Sequence, residues 1–193
     1  MTEHVAAVTA LIVVDMQVAF VTGDGAVSEA DRVVRTVRGL VDAARAAGAL
    51  VVHLQNDGDV GTEDEVGTAG WELLLPVRVG DREAVVRKVE DDGFEGTALA
   101  ELLAGAGVTA LAVCGVQSEM CVRATAESAL ERDYRVVLPH DAHGTYDIPA
   151  APGISEAVPA AMVSRVAEWA LGDEVEIVAR AADVVFRAPG ATV

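Results

Sequence analysis

Short runs that are apolar at nearly every position constrain the fold of this chain most. Ala10-Leu-Ile-Val-Val14 has no polar residue, so a strand made from it must be buried on both faces, as in a parallel sheet covered by helices. Leu50-Val-Val-His-Leu54, Ala84-Val-Val-Arg-Lys88, Val108 to Val116, Arg135 to Leu138 and Val175 to Val178 read as further strands. Helical spacing fills the gaps between them. Ser28 and Asp31 stand as a capping box before Val33, Val34, Val37, Leu40, Val41 and Ala44, and Gly48 follows the last turn. Thr97 to Leu103, Glu119 to Arg132 and Ala157 to Leu171, with Pro159 near its start, read as three more helices. Residues 55 to 83 form one long irregular stretch rich in Gly and acid. Strands alternating with helices imply right-handed crossovers, hence a three-layer α/β/α fold with a mostly parallel, doubly wound sheet. At 193 residues one domain is expected over the whole chain, with no internal repeat or linker.

Composition limits the partners. Hydrophobic residues are 52% of the chain and aromatics 4%, so the core is built mainly from Ala, Val and Leu. The formal net charge of −17 repels phosphate backbones and anionic lipid heads, which argues against nucleic acid and membrane surfaces. A cationic small molecule stays open. No apolar run reaches the ~18 residues of a membrane span, and Glu3 and Asp15 are wrongly placed for a signal peptide, so a cytoplasmic location is expected. Cys114 and Cys121 are too few for a disulfide framework and lack CxxC spacing, so no structural metal is expected from them.

Three residues gather by position. Ligands of open parallel sheets bind beyond the carboxyl ends of the strands. Asp15 closes the first strand, Lys88 the third, and Cys121 follows the fourth at the first turn of a helix. Lys88 is also the only lysine among 14 basic residues, which marks a place where a compact ammonium does what a guanidinium cannot. A thiol beside an ammonium and a helix N-terminus is expected to have a lowered pKa. Cys121 is then a nucleophile, Asp15 its proton acceptor, and Lys88 the cation that holds Asp15 in place. Backbone N–H groups of the loop Gly115-Val116-Gln117-Ser118 and of Cys121 supply an oxyanion hole. Gln17, Phe20, Trp71 and Gln117 are the residues expected to touch substrate. His140 and His143 follow the fifth strand and leave a Cys–His pair as a competing arrangement. Cys114, inside Leu111-Ala-Val-Cys114, reads as a core thiol.

The set Val13-Val-Asp15-Met-Gln17-Val-Ala-Phe20, Lys88 with Phe94-Glu-Gly-Thr97, Gly115-Val-Gln-Ser-Glu-Met-Cys121-Val122 and Asp141-Ala142 resembles the isochorismatase-like cysteine hydrolases over roughly residues 8 to 147. The resemblance implies an Asp15, Lys88, Cys121 triad, a non-proline cis peptide at Val116–Gln117, hydrolysis through a thioester, and a dimer or tetramer. Nicotinamidases of that family carry an Asp-x-His metal pair after the second strand. Here His53 precedes Asp57 and Asp59 instead, so no metal and no other cofactor is expected. The motifs are most similar to the amidase branch that includes streptothricin hydrolases, which cleave a cyclic amide in a cationic antibiotic. Three other readings remain: a non-amide hydrolase of the isochorismatase type, a receiver-type signalling domain, which needs a carboxylate cluster for Mg²⁺, and a family member that binds ligand without catalysis.

Overall fold

The structure is a computed structural model that describes residues 6–190; Glu3, weighed above against a signal peptide, lies outside them. Seven strands form one sheet: β1 (Ala10–Val14), β2 (Leu50–Asn56), β3 (Glu83–Lys88), β4 (Ala110–Val116), β5 (Arg135–Pro139), β6 (His143–Gly144) and β7 (Glu176–Val178). Their order is β3-β2-β1-β4-β5-β7, with β6 beside the end of β4, and every pairing between them is parallel. The helices are α1 (Val18–Val21), α2 (Ala30–Ala46), α3 (Leu99–Gly105), α4 (Arg123–Glu131) and α5 (Ala160–Ala170). None of the described helices is long and apolar enough to cross a membrane.

The wholly apolar strands behave as both-faces-buried strands must. In β1, Leu11 and Val13 pack with Val33, Val37, Leu40 and Val41 of α2. Ala10, Ile12 and Val14 point the other way, toward Leu99 and Leu103 of α3 and Ala126 and Ala129 of α4. Each buried Val or Leu contributes about 1.5–3 kcal/mol, so the sheet is held from both sides by many small side chains and few aromatics. The same alternation divides the cysteines: Cys114 joins the α2 face and Cys121 the opposite one.

Order along the sheet sets the location of the site. The chain runs outward from β1 through β2 to β3, then returns to place β4 on the other side of β1. That reversal opens a crevice at the carboxyl ends of β1 and β4, where doubly wound sheets bind their ligands.

Three local expectations are corrected. The capping box is not formed: α2 starts after Glu29, which takes a left-handed φ of 57° with no side-chain cap, while the Ser28 N–H donates to the Thr145 carbonyl. The tertiary tie on Ser28 outweighs the local cap. The helix expected over 119–132 divides into a π-type turn, Ser118–Val122, interrupted at Met120 (φ −106°, ψ −108°), and α4. Wide turns of this type recur at functional sites. The helix expected from Ala157 starts at Ala160, whose N–H is met by Asp147 Oδ1 at 2.7 Å.

Candidate active site

Asp15 follows β1 with φ 47°, a left-handed conformation that costs a non-glycine residue about 1–3 kcal/mol and is retained mainly where a site needs it. The residue is 1% exposed. Lys88, the last residue of β3, crosses the end of β2 and brings Nζ to 2.8 Å from Asp15 Oδ2 and 3.4 Å from Cys121 Sγ. The same ammonium reaches the Glu90 carbonyl at 3.2 Å and Asn56 Oδ1 at 3.4 Å. Asp15 Oδ1 is buried and, among the described residues, has no hydrogen-bond partner. It is the oxygen free to take a proton.

The turn that carries Cys121 depends on a glycine. Gly115 has φ 119°, and a Cβ there would lie 2.1 Å from the Val14 carbonyl, so no side chain fits where β4 passes the end of β1. Val116–Gln117 is a cis peptide, at the bond that the family resemblance implied. The Gln117 carbonyl then accepts N–H groups from Met120 and Val122, which curls the turn around Cys121.

The electrostatics differ from expectation at the sulfur. Burial, with the Asp15 carboxylate beside it, pushes the Cys121 thiol up, and the Lys88 ammonium only partly offsets this. Cys121 is therefore a thiol at rest, not the thiolate expected from the sequence. Burial likewise raises Asp15 above its ordinary value against the pull of Lys88. For Lys88, burial acts downward, but the Asp15 carboxylate, with the contact to Cys121 Sγ, outweighs it and holds the ammonium protonated. The trio is thus a proton-bearing thiol, an acceptor carboxylate and a fixed cation.

The expected substrate contacts fare differently. Gln17 is fully buried: Nε2 donates to the carbonyls of Asn56 (2.9 Å) and Trp71 (3.1 Å), and Oε1 accepts the Asn56 N–H. It braces the backbone of Asn56, whose side chain touches Lys88, and has no N–H left for a ligand. Trp71 donates Nε1–H to Asp57 Oδ1 and lies under the Arg87 guanidinium, 5.2 Å from the ring centre. Phe20 is half-buried against the α2-side core. Gln117 is half-buried at the start of the turn.

The histidines serve another cluster. His143 meets Ser118 Oγ at 2.8 Å and Glu168 Oε1 at 3.1 Å, and His140 Nδ1 meets the same Glu168 oxygen at 2.6 Å. Neither ring is among the hydrogen-bond partners of Cys121, so the geometry gives no support to a Cys–His pair. His140, His143 and Glu168 are the one group among the described residues whose ligand atoms converge as a metal site requires, within 4.8 Å of one another. Both rings already bond to the carboxylate. His53, at the position compared with metal-binding relatives, bonds Glu83 at 3.0 Å, which in turn holds Arg45.

Two neighbours of the trio escaped the sequence reading. Asn56 ends β2 and was reachable by the same strand-end rule that selected Asp15 and Lys88. Asp91, with Oδ1 3.4 Å from Cys121 Sγ, sits in the run Glu90-Asp-Asp92 and carries no local sign that separates it from the surplus acid around it.

Residues 9–168 match the isochorismatase domain. The chain belongs to the isochorismatase family. Two relatives from Streptomyces noursei, both named streptothricin hydrolase, are 70% and 69% identical over 181 and 182 residues, each covering 94% of this chain. The chain spans 72% and 66% of their lengths. Among solved structures, an isochorismatase from Pseudomonas putida superposes with a TM-score of 0.81 at 29% identity, covering 92% of this chain and 90% of that one. The family's parallel α/β architecture is the one observed here.

Proposed function

We propose that this chain is a cysteine hydrolase that cleaves a C–N bond, a cyclic amide in a cationic small molecule of the streptothricin kind, through a thioester. The observation that carries the reading is the chain of contacts Asp15 Oδ2, Lys88 Nζ, Cys121 Sγ at 2.8 and 3.4 Å in a buried crevice at the sheet's switch point. The 70% identity to a streptothricin hydrolase supports the substrate class.

Asp15 acts as the base because it pairs a free, buried oxygen with a pKa raised by burial, so it accepts the thiol proton as Sγ attacks. Attack forms the S–C bond and moves the carbonyl π electrons onto oxygen, and the backbone N–H groups of Gln117 and Cys121 donate hydrogen bonds to that oxyanion. Collapse breaks the C–N bond, and Asp15 returns its proton to the leaving amine. Water then attacks the thioester, giving its proton to Asp15 and its hydroxyl to the acyl carbon; the C–S bond breaks and the sulfur recovers the proton. In a cyclic amide the amine remains tethered, so the product is one ring-opened amino acid. Lys88 keeps its proton throughout and compensates the carboxylate and the nascent thiolate. No step needs a metal or other cofactor.

The finer setting completes the proposal: a cytoplasmic enzyme, with both cysteines free, that assembles as a dimer or tetramer. The exposed side chains Met162, Val166 and Trp169 follow one face of α5 and support assembly, since they leave an apolar stripe on an otherwise acidic molecule. Light scattering at micromolar concentration tests it; a monomer at all concentrations refutes it.

Cys121→Ser is expected to abolish amide turnover and the acyl adduct seen by intact mass. Cys114→Ser is expected to retain most activity, because Cys114 is fully buried on the far face of the sheet. Equal losses in two folded variants would reject the assignment.

A further inference from the structure

We infer that Asp91 selects for positive charge on the substrate, and that the charge it reads lies within about 10 Å of the scissile carbonyl. The inference rests on the cyclic-amide hydrolase reading above.

Three charged side chains surround Cys121 Sγ, and they differ in what they have left to offer. Asp15 and Lys88 are buried and paired with each other at 2.8 Å. Asp91 is exposed, 3.4 Å from the sulfur, and among the described residues has no cationic partner. Two other acids are engaged: Asp57 is held by Arg87 and Trp71, and Asp64 by Asn56. The adjacent Asp92 is structural, with one oxygen on the Phe94 N–H and the other on the Ser128 hydroxyl. These contacts, with the Gly93 N–H donating to Thr125 Oγ1 at 2.9 Å, pin the backbone that follows Asp91, and Lys88 Nζ on the Glu90 carbonyl holds the residue before it.

A carboxylate without a cationic partner, beside a sulfur that must become negative, works against attack. Its charge adds to those that keep the Cys121 thiol protonated. A substrate that brings its own cation removes this opposition as it binds, so one residue couples recognition to nucleophile release. Reach sets the distance. Attack begins with the carbonyl carbon about 3–3.5 Å from sulfur, and a charge-assisted hydrogen bond spans about 2.7–2.9 Å. The cationic nitrogen therefore sits no more than about 6 Å from the sulfur and no more than about 10 Å from the carbonyl carbon. A charge held rigidly beyond that distance gains nothing here.

The test crosses residue with substrate charge. Wild type, Asp91→Asn and Asp91→Glu are assayed on three cyclic amides of one ring size: one bearing a guanidine or amine within four bonds of the carbonyl, one bearing it beyond a rigid spacer that exceeds the ~10 Å reach, and a neutral isostere. Wild type is expected to prefer the near-charge substrate over both others by about 10–100-fold in kcat/KM. Asp91→Asn brings that ratio close to one, and Asp91→Glu restores part of it. A ratio unchanged in Asp91→Asn overturns the inference, as does an equal fall on all three substrates, which would make Asp91 a second base. Equal wild-type preference for near and distant charge also overturns it. Calorimetric binding of the near-charge amide to Cys121→Ser, with and without Asp91→Asn, gives a readout independent of turnover, and affinity should fall by the same factor. If wild type turns over none of the three and forms no acyl adduct, the hydrolase reading itself fails, a result distinct from a lost ratio.

Discussion

At the scale of single residues, Lys88 is the most demanding position. Its ammonium contacts Asp15, Cys121, Asn56 and the Glu90 carbonyl while 3% exposed, so the site has no room for a larger head group. Lys88→Arg keeps the charge but brings a planar fork that grips both oxygens of Asp15, including the one that must stay free for the proton. Turnover is expected to fall by ~10²-fold or more, and overpacking to lower stability by about 1–3 kcal/mol, read by steady-state kinetics and thermal melting. A wild-type rate from a folded arginine variant would reduce Lys88 to a filler of space. The pair also sets the pH profile. Protonated Asp15 cannot accept the thiol proton, and burial holds its pKa above the ordinary range. The acid limb of kcat/KM is therefore expected to have its midpoint above the ~3.9 of an unperturbed aspartate. A midpoint at or below that value would remove Asp15 as the base. The direction of the thiol's own shift was not legible in the sequence, because the motif shows the ammonium beside Cys121 but neither the depth of burial nor Asp91.

At the scale of elements, one buried cluster ties three of them together. Glu83 opens β3, accepts two bonds from Arg45 of α2 and one from His53 of β2, and is 4% exposed. Burial alone would raise its pKa, but Arg45, the Arg78 N–H and His53 bring it down to about 2. The unfolded chain therefore takes up this proton first as the pH falls. The stabilisation is complete above about pH 4.5 and is lost between there and about pH 2, an effect of about 3 kcal/mol. His53, whose pKa is lowered chiefly by burial, works in the same sense and begins to cost stability below about pH 6.5. Glu83→Gln should thus differ from wild type in urea midpoint strongly at pH 7 and much less at pH 3; a difference independent of pH would exclude this linkage. Element types and approximate ends were readable from apolar runs and helical spacing. Where reading failed, at the start of α2 and in the turn 118–122, the deciding contacts came from residues distant in sequence, Thr145 in the first case and the passage of β4 along β1 in the second.

At the scale of the whole molecule, the sequence by itself determined the layered α/β architecture, because a strand apolar at every position can be buried only between two layers of helices. It also marked the residues to expect at the site: strand ends are visible as the points where apolar runs stop, Asp15 and Lys88 stand at such points, and the structure brings both to Cys121. The order of the strands was decided only by the tertiary structure. Nothing in the runs states that β4 returns to the side of β1 away from β2, yet that return puts Asp15 and Cys121 on adjacent strand ends and makes Lys88 reach across β2 to join them. The roles of the surrounding polar residues were decided there too. Gln17 and Asp91 look alike as polar residues near a motif, but one is fully buried as a brace and the other is exposed beside Cys121 with no cationic partner among the described residues. The physical reason is range. Side-chain hydrophobicity and backbone preference act over a few neighbouring residues and are written along the chain, whereas burial, charge pairing and the shape of a crevice arise from groups that meet only when distant segments pack.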